Sequence, residues 1–396
     1  MSTEQTNQEI VIVAAKRTPM GGFQGSLSSV PSPKLAATAI KGLMDATGLK
    51  GGDVNEVLMG CVLPAGLGQA PARQATLGAD LPLSVGATTV NKVCGSGMKT
   101  VMMAHDLIKA GSADVVIAGG MESMSQAPYL LDKARGGMRM GHGKVLDHMF
   151  LDGLEDAYTG GAMGTFAQKT ADDFDITREA MDNFALNSLQ KANAAIESGA
   201  FKQEIVPVTV ASRKGDLIVD TDEQPGNARP EKIPSLRPAF ATDGTITAAN
   251  SSSISDGAAV LMLMSADEAS KRGLEILATI KGHTTHSQEP SMFTTAPVGA
   301  MNQLLDKVNW SKADVDLFEI NEAFAMVTML AISELGLDEA KVNVNGGACA
   351  LGHPIGCSGA RVLVTLIHAL KAKGLKRGVA SLCIGGGEAT AMAIEV

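Results

Sequence analysis

Asn91-Lys92-Val93-Cys94-Gly95-Ser96-Gly97 leads into a helical pattern over 98–109, an apolar strand pattern over 114–118 and the pair Gly119-Gly120. The same grammar returns near the C-terminus. Cys357-Ser358-Gly359 opens a helical pattern over 359–373, followed by a strand pattern over 379–384 and by Gly386-Gly387. Cysteine, small residues, helix, strand and glycines in one order, twice, read as an internal duplication of one α/β unit.

Working outward, strand patterns at 10–14, 56–60 and 87–90 alternate with helical patterns at 32–47 and 70–79. In the second copy, strand patterns at 316–319 and 389–395 flank a helical pattern at 322–334. Such alternation predicts an α/β fold. Between the copies the composition changes. Residues 123–253 hold the charged turn Arg213-Lys214-Gly215-Asp216, prolines at 225, 230, 234 and 238, and one clear helix over 178–198. The expected organisation is a first half, 1–122, completed by 254–275; a loop domain, 123–253, lying over a site; and a second half, 276–396.

Composition narrows the function. Net charge is −9, basic tracts are short and aromatics make up only 3%, which disfavours nucleic-acid binding. The cysteines (61, 94, 349, 357 and 383) are odd in number and lack disulfide-framework spacing, so reduced thiols in a reducing compartment are expected. No apolar run is long enough for a membrane span, and Met1–Glu9 is polar without a signal pattern. The C-terminal Ala393-Ile394-Glu395-Val396 is not a peroxisomal address, and the cytoplasm is the expected setting.

Four segments carry chemistry. Cys94 stands at the mouth of a helix N-terminus, where free N–H groups and the macrodipole favour a thiolate. That setting predicts a pKa lowered from ~8.5 towards neutrality and a nucleophile with room for substrate beside it. His353 lies in Asn343-Val344-Asn345-Gly346-Gly347-Ala348-Cys349-Ala350-Leu351-Gly352-His353-Pro354-Ile355-Gly356-Cys357-Ser358-Gly359, on a turn fixed by Gly352 and Pro354. It is either a core histidine or a group that takes a thiol proton and donates to an oxyanion. Cys383 opens the turn Gly385-Gly386-Gly387; it is either a small buried hydrophobe or a second thiol meeting Cys94 across a pseudo-twofold axis. Asn321, in Glu319-Ile320-Asn321-Glu322-Ala323-Phe324-Ala325, is either a helix N-cap or a holder of water or an oxyanion.

Other signals point away from chemistry. The pair in His283-Thr284-Thr285-His286 has no nearby acidic or cysteine partner in sequence and reads as solvated loop histidines, not a metal site. No Gly-x-Gly-x-x-Gly follows a strand with an acidic residue downstream, which disfavours a dinucleotide site. Cys349 and Cys357 read as packed small residues, and Met98, Met102 and Met103 as helix core.

Together the four segments resemble the thiolase family, in the family's order and over nearly the whole chain. Arg17-Thr18-Pro19, Val62-Leu63-Pro64-Ala65-Gly66, Ala72-Arg73-Gln74 and Gly119-Gly120-Met121-Glu122-Ser123-Met124-Ser125 match as well. The resemblance implies two five-stranded α/β halves stacked in five layers beneath a loop domain. It implies reversible condensation of two acetyl-CoA to acetoacetyl-CoA and CoA, with CoA as substrate and product, no cofactor and no metal. Cys94 would carry the acyl group, His353 would take its proton, and Cys383 would act on the α-proton. Asn321, through a water, would form one oxyanion hole with His353; the N–H groups of Cys94 and Gly385 would form the other. Ser252, Leu154, Met163, Ala323 and Phe324 would meet the pantetheine arm and the acyl group. Arg213, Lys214, Arg229 and Lys232 are the basic residues open to CoA phosphates. A homodimer or homotetramer is expected.

Three positions depart from the family pattern: Ala162 where a His is usual, Phe293 where a Met often stands, and Glu388 where Met or Gln is usual. Competing readings are a degradative 3-ketoacyl-CoA thiolase for longer or branched chains, a decarboxylating ketoacyl synthase, and a catalytically silent CoA-binding protein. The retained thiols disfavour the last two.

Overall fold

The computed structural model describes residues 8–396, so most of the Met1–Glu9 stretch read for targeting lies outside the described residues. The first half contributes strands β1 (Ile10–Arg17), β2 (Glu56–Gly60), β3 (Gly86–Val90), β4 (Val115–Ser123) and β5 (Ser255–Ser265). They pair in the order β3-β2-β4-β5-β1, parallel across β3-β2-β4 and antiparallel thereafter. The second half contributes β6 (Ala278–Ser287), β7 (Leu317–Ile320), β8 (Arg377–Ile384) and β9 (Glu388–Glu395), paired β7-β8-β9-β6. A single bridge from Phe318 to Val342 marks where the counterpart of β3 would lie. The two ladders therefore share one strand order, and the duplication read from the sequence is a duplication of topology. Among the described residues the two ladders pair through β1 and β6 at Val11↔Thr279 and Ile12↔Ala278.

Strand alternation explains the layers. In β4, Val116 and Ala118 face a central core while Val115 and Ile117 face an outer one. In β8, Ala380 and Leu382 face the central core while Val379 faces a third cluster. Helices α1 (Ser32–Thr47) and α3 (Ala296–Val308) cover the two outer faces. Helices α2 (Ser96–Lys109) and α4 (Ser358–Lys373) lie between the sheets. The order is helix, sheet, helices, sheet, helix, as the resemblance implied. Both sheet faces are covered, so β4, β5 and β8 read as nearly continuous apolar runs rather than alternating ones.

The two central helices meet at their N-termini. A Cβ on Gly97 would stand 2.8 Å from Ala360 N, and one on Gly359 would stand 2.4 Å from Met98 N. Glycine is required at both places because backbone packs on backbone. This contact brings the Cys94 turn of one half against the His353–Cys357 turn of the other.

The intervening segment is fastened to the first half by a buried arginine. Arg17 is fully buried and donates to Glu204 Oε1 at 2.6 Å and to both carboxylate oxygens of Asp222 at 2.6 and 2.8 Å. Removing one partner of such a buried pair costs about 3–5 kcal/mol, because the other charge is left uncompensated.

Several element limits differ from the sequence expectation. β4 continues through Gly119 and Gly120 to Ser123 instead of closing at the glycines. A helix begins at Ala325 rather than near residue 322. His283 and His286 lie within β6, not on a solvated loop. Among the described residues no helix is long and apolar enough to cross a membrane.

Candidate active site

Cys94 is presented by a strained turn. Val93 adopts φ 48°, in the left-handed region that β-branched residues avoid. The turn holds this conformation with side-chain bonds: Val93 N–H donates to Asn91 Oδ1 at 2.9 Å and Lys92 N–H donates to Ser96 Oγ at 2.8 Å. Ser96 Oγ in turn donates to Val93 O at 2.6 Å. The N–H groups of Gly385 and of Cys94 itself reach the Cys94 sulfur.

The protonation state contradicts the sequence expectation. Burial pushes the Cys94 thiol up to about 11; the two N–H donors favour the thiolate but do not overcome burial, and Glu122 opposes it. Burial therefore acts against the favourable α2 N-terminus, because an apolar cavity withdraws solvation from the charged form. Cys383, 1% exposed, is pushed further up by burial and by the neighbouring Cys94.

His353 is buried, and burial, aided by Arg361, pushes its pKa down to about 3. Its tautomer follows from its neighbours. Ser358 Oγ donates its single proton to Pro354 O at 3.0 Å. It can then only accept from His353 Nδ1, which lies within hydrogen-bond reach. This hydrogen bonding assigns the proton to Nδ1 and leaves a lone pair on Nε2, which has no partner among the described residues. His353 is set as a proton acceptor, and nothing in the sequence reading had singled out Ser358 for this.

One cavity of about 240 Å³ gathers the expected residues: Cys94, His353, Cys383 and Gly385 with Ser252, Leu154, Met163, Ala323 and Phe324. Ser252 Oγ donates to Ala323 O at 2.9 Å, joining two of these walls. Asn321 does not line the cavity. It is fully buried behind it, with its backbone N–H on Ser381 O at 3.0 Å, two residues before Cys383. Neither polar atom of its side-chain amide has a hydrogen-bond partner among the described residues. Because the following helix starts only at Ala325 and is capped by Phe324, Asn321 is not an N-cap. A buried amide left free on both atoms is uncommon in folded proteins.

Sequence reasoning missed the apolar walls Phe150, Phe240, Ile254 and Ile355. It also missed two carboxylates that hold the loops. Glu122 accepts from Val62, Leu63 and Gly356 N–H at 2.9, 3.1 and 3.0 Å, and burial raises it to about 7. Glu322 accepts from Asn343 Nδ2 at 2.8 Å, Ser188 Oγ at 2.7 Å and Cys349 N at 3.1 Å, which pins the glycine-rich turn before His353. Both stand inside the quoted motifs, so the residue type was visible and only the partners were not.

Of the three departures, Ala162 and Phe293 line the cavity. Glu388 does not; it pairs with Lys92 Nζ and accepts from Ser287 Oγ at 2.9 Å. A second cavity, of about 340 Å³, lies beyond the Ser251–Ser253 stretch and is lined by Arg229, Lys232 and Ser253. Arg213 and Lys214 line neither cavity.

Comparison with known proteins agrees with this geometry. The family description "Thiolase, N-terminal domain" matches residues 10–267, and "Thiolase, C-terminal domain" matches residues 274–396. The acetyl-CoA acetyltransferase of Pseudomonas aeruginosa is 50% identical over 98% of this chain and 99% of its own length. A crystal structure of the Bacillus anthracis acetyl-CoA acetyltransferase superposes with TM-score 0.95 at 42% identity, covering 98% of each chain. The Acat5 thiolase of Ascaris suum, solved in complex with coenzyme A, superposes with TM-score 0.93 at 41% identity over 98% of this chain and 99% of that one. With matched family segments at both ends of the chain and a shared fold throughout, the chain belongs to the thiolase family.

Proposed function

We propose that this enzyme is an acyltransferase that reversibly condenses two acetyl-CoA into acetoacetyl-CoA and CoA through an acyl-Cys94 intermediate. The observation that carries this reading is the meeting of two thiols, Cys94 and Cys383, with an acceptor imidazole in one cavity. Relatives bearing the acetyl-CoA acetyltransferase name at about half identity support it.

The resting site holds neutral thiols and a neutral imidazole, so charge is made only when substrate is present. Cys94 sulfur attacks the thioester carbonyl as its proton passes to His353 Nε2. The tetrahedral oxyanion is met by the N–H groups of Cys94 and Gly385. When that adduct collapses, the CoA sulfur leaves and takes the Cys383 proton. His353 is now cationic and Cys383 anionic, and each stabilises the other's charge. A second acetyl-CoA then loses its α-proton to Cys383. Its enolate oxygen accepts from His353 Nε2–H and from a water held by Asn321. The enolate carbon attacks the acyl group, Cys94 sulfur departs, and His353 returns the proton to it. Atoms and protons balance over the cycle with no metal or resident cofactor in the reaction.

Several finer features belong to the same reading. Ser252, Leu154, Met163, Ala323 and Phe324 hold the pantetheine end, while Arg229 and Lys232 in the neighbouring cavity face the CoA phosphates. The loop domain 123–253 covers a scaffold made of 1–122 with 254–275 and of 276–396; support comes from β5, which pairs inside the first sheet. The assembly is a homodimer or homotetramer working in the cytoplasm on short-chain acyl-CoA metabolism. Phe150, Phe240 and Phe293 also line the cavity, and their bulk supports a short, two-carbon acyl group. Thiolysis rates for acetoacetyl-CoA and for longer 3-ketoacyl-CoAs test the assignment. Faster cleavage of the longer substrates would replace it with the degradative one.

A further inference from the structure

His283 looked partnerless in sequence, and the fold supplies partners from the other half of the chain. Near the C-terminal end of α2, Asp106 Oδ1 lies 2.9 Å from His105 Nδ1 and 3.1 Å from Nε2 of His283 on β6. The two imidazole rings stand edge to face, with centroids 5.0 Å apart at 85°. Ligand atoms of the three residues all lie within 4.8 Å of one another. The histidine side chains are only 12% and 13% exposed, whereas Asp106 is 61% exposed.

We propose that His105, Asp106 and His283 form a binding site for a divalent transition-metal ion of the zinc class, clamping the first half of the fold to the second. Two hydrogen bonds ending on one oxygen show that both ring nitrogens point at one place. A tetrahedral ion with bonds of about 2.0–2.1 Å needs ligand atoms about 3.3 Å apart; Asp106 Oδ1 stands 2.9 and 3.1 Å from the two nitrogens, and all three ligand atoms lie within 4.8 Å. The exposed carboxylate can withdraw towards solvent while the packed imidazoles stay in place. Two imidazoles and a carboxylate, with a position left for water, are a donor set that suits zinc and cobalt.

Lys109 and Lys307 act against a cation here, and Lys307 Nζ also donates to His283 O at 2.9 Å. They make the site moderate in affinity. The cluster is remote from the reaction: His105 lies eleven residues along the chain from Cys94, about 16 Å at the rise of a helix. The ion is therefore a structural clamp and takes no part in acyl transfer.

Co2+ titration of the chelator-treated full chain, read by visible absorption, tests this. The expected result is one equivalent bound with visible bands and no sulfur-to-metal charge transfer. Affinity should fall at least a hundredfold in His283→Ala and in Asp106→Asn, the exposed position keeping the fold testable if the histidine variant misfolds. Lys109→Gln should tighten binding a few-fold. Zn2+ should raise the thermal midpoint of the unmodified protein but not of Asp106→Asn, and acetoacetyl-CoA thiolysis should be unchanged by Asp106→Asn. Binding that survives Asp106→Asn and His283→Ala, a thiolate charge-transfer band pointing to Cys94 or Cys383, or no binding at millimolar Co2+ would each overturn the proposal.

Discussion

Cys94 and Cys357 stand at nearly matching places in the duplicated halves, Cys94 two residues before the central helix that starts at Ser96 and Cys357 one residue before the one that starts at Ser358, and they have opposite fates. Cys94 is half-buried with its sulfur on the cavity; Cys357 is 0% exposed in the central core, and burial pushes its thiol up to about 12. The chain leading in makes the difference. Val93, at φ 48°, turns the first cysteine outward, whereas Cys357 itself takes an ordinary right-handed φ of −88° and packs inward. The second half uses the same entrance to deliver His353 four residues earlier. A repeated backbone thus carries the nucleophile of the proposed cycle in one copy and its base in the other, which a symmetric pair of thiols would not provide.

Substituting the two cysteines separates these roles. Cys94→Ala should abolish acyl-enzyme, read as protein-bound label after incubation with labelled acetyl-CoA. Cys357→Ala should leave labelling and turnover intact and cost about 1 kcal/mol, read from the thermal midpoint. Equal loss of labelling in both would dissolve the contrast. Cys383→Ser should keep the label on Cys94 and lower condensation about 10²–10⁴-fold, the usual range for a lost acid–base group.

Next in size is the buried amide behind the cavity. Asn321→Ala should lower kcat about 10²–10³-fold with little change in labelling of Cys94, as expected for one oxyanion donor. Equal slowing of labelling and condensation would assign Asn321 to folding instead. Ser358→Ala tests how the second half aims its imidazole. Loss of one neutral hydrogen bond is worth about 0.5–1.5 kcal/mol, roughly 2–12-fold in kcat. The pH dependence of Cys94 labelling should shift as well, since Nδ1 is no longer held protonated; an unchanged profile would make Ser358 merely structural.

The smallest effect concerns Lys92 and Glu388, which tie the Cys94 turn to the strand after the triple-glycine turn. Their pair is partly exposed, at 19% and 29%, so Glu388→Gln should change turnover only a few-fold, within about 1 kcal/mol. Charge state offers a separate check on the Cys94 environment. A thiol raised to about 11 binds its proton more tightly folded than unfolded. Alkylation of Cys94 should therefore rise about tenfold per pH unit above neutrality and level off near that value, and the thiol's contribution to stability should fall between ~8.5 and there. A plateau near neutrality would restore the thiolate expected from the helix N-terminus.

Legibility varied with how local the cause was. The helix at 32–47, the strand at 56–60 and the helix at 178–198 were readable to the residue, because periodicity and Pro/Gly punctuation act within a few positions. β6 was not read as a strand because Thr279, Lys281 and His283 interrupt its apolar pattern; Lys281 pairs with Glu9 and His283 with Asp106, contacts that only the fold supplies. Nine of the ten candidate site residues line one cavity; Cys94, His353, Cys383, Gly385, Ala323 and Phe324 sat in motifs visible in the sequence, whereas Ser252, Leu154 and Met163 came only from the family resemblance. The aromatic walls carried no such signal. Phe150 and Phe240 lie in the irregular segment and reach the site only through its folding over the scaffold.

Sequence by itself determined the donor groups, their order and the repeat that places them on matching turns, because side-chain chemistry and local backbone preference are written residue by residue. Tertiary structure decided which of five thiols opens onto a cavity, which imidazole nitrogen carries the proton, and that His283 meets Asp106. Solvation and long-range proximity exist only after packing, and they set charge and access more strongly than any local signal does.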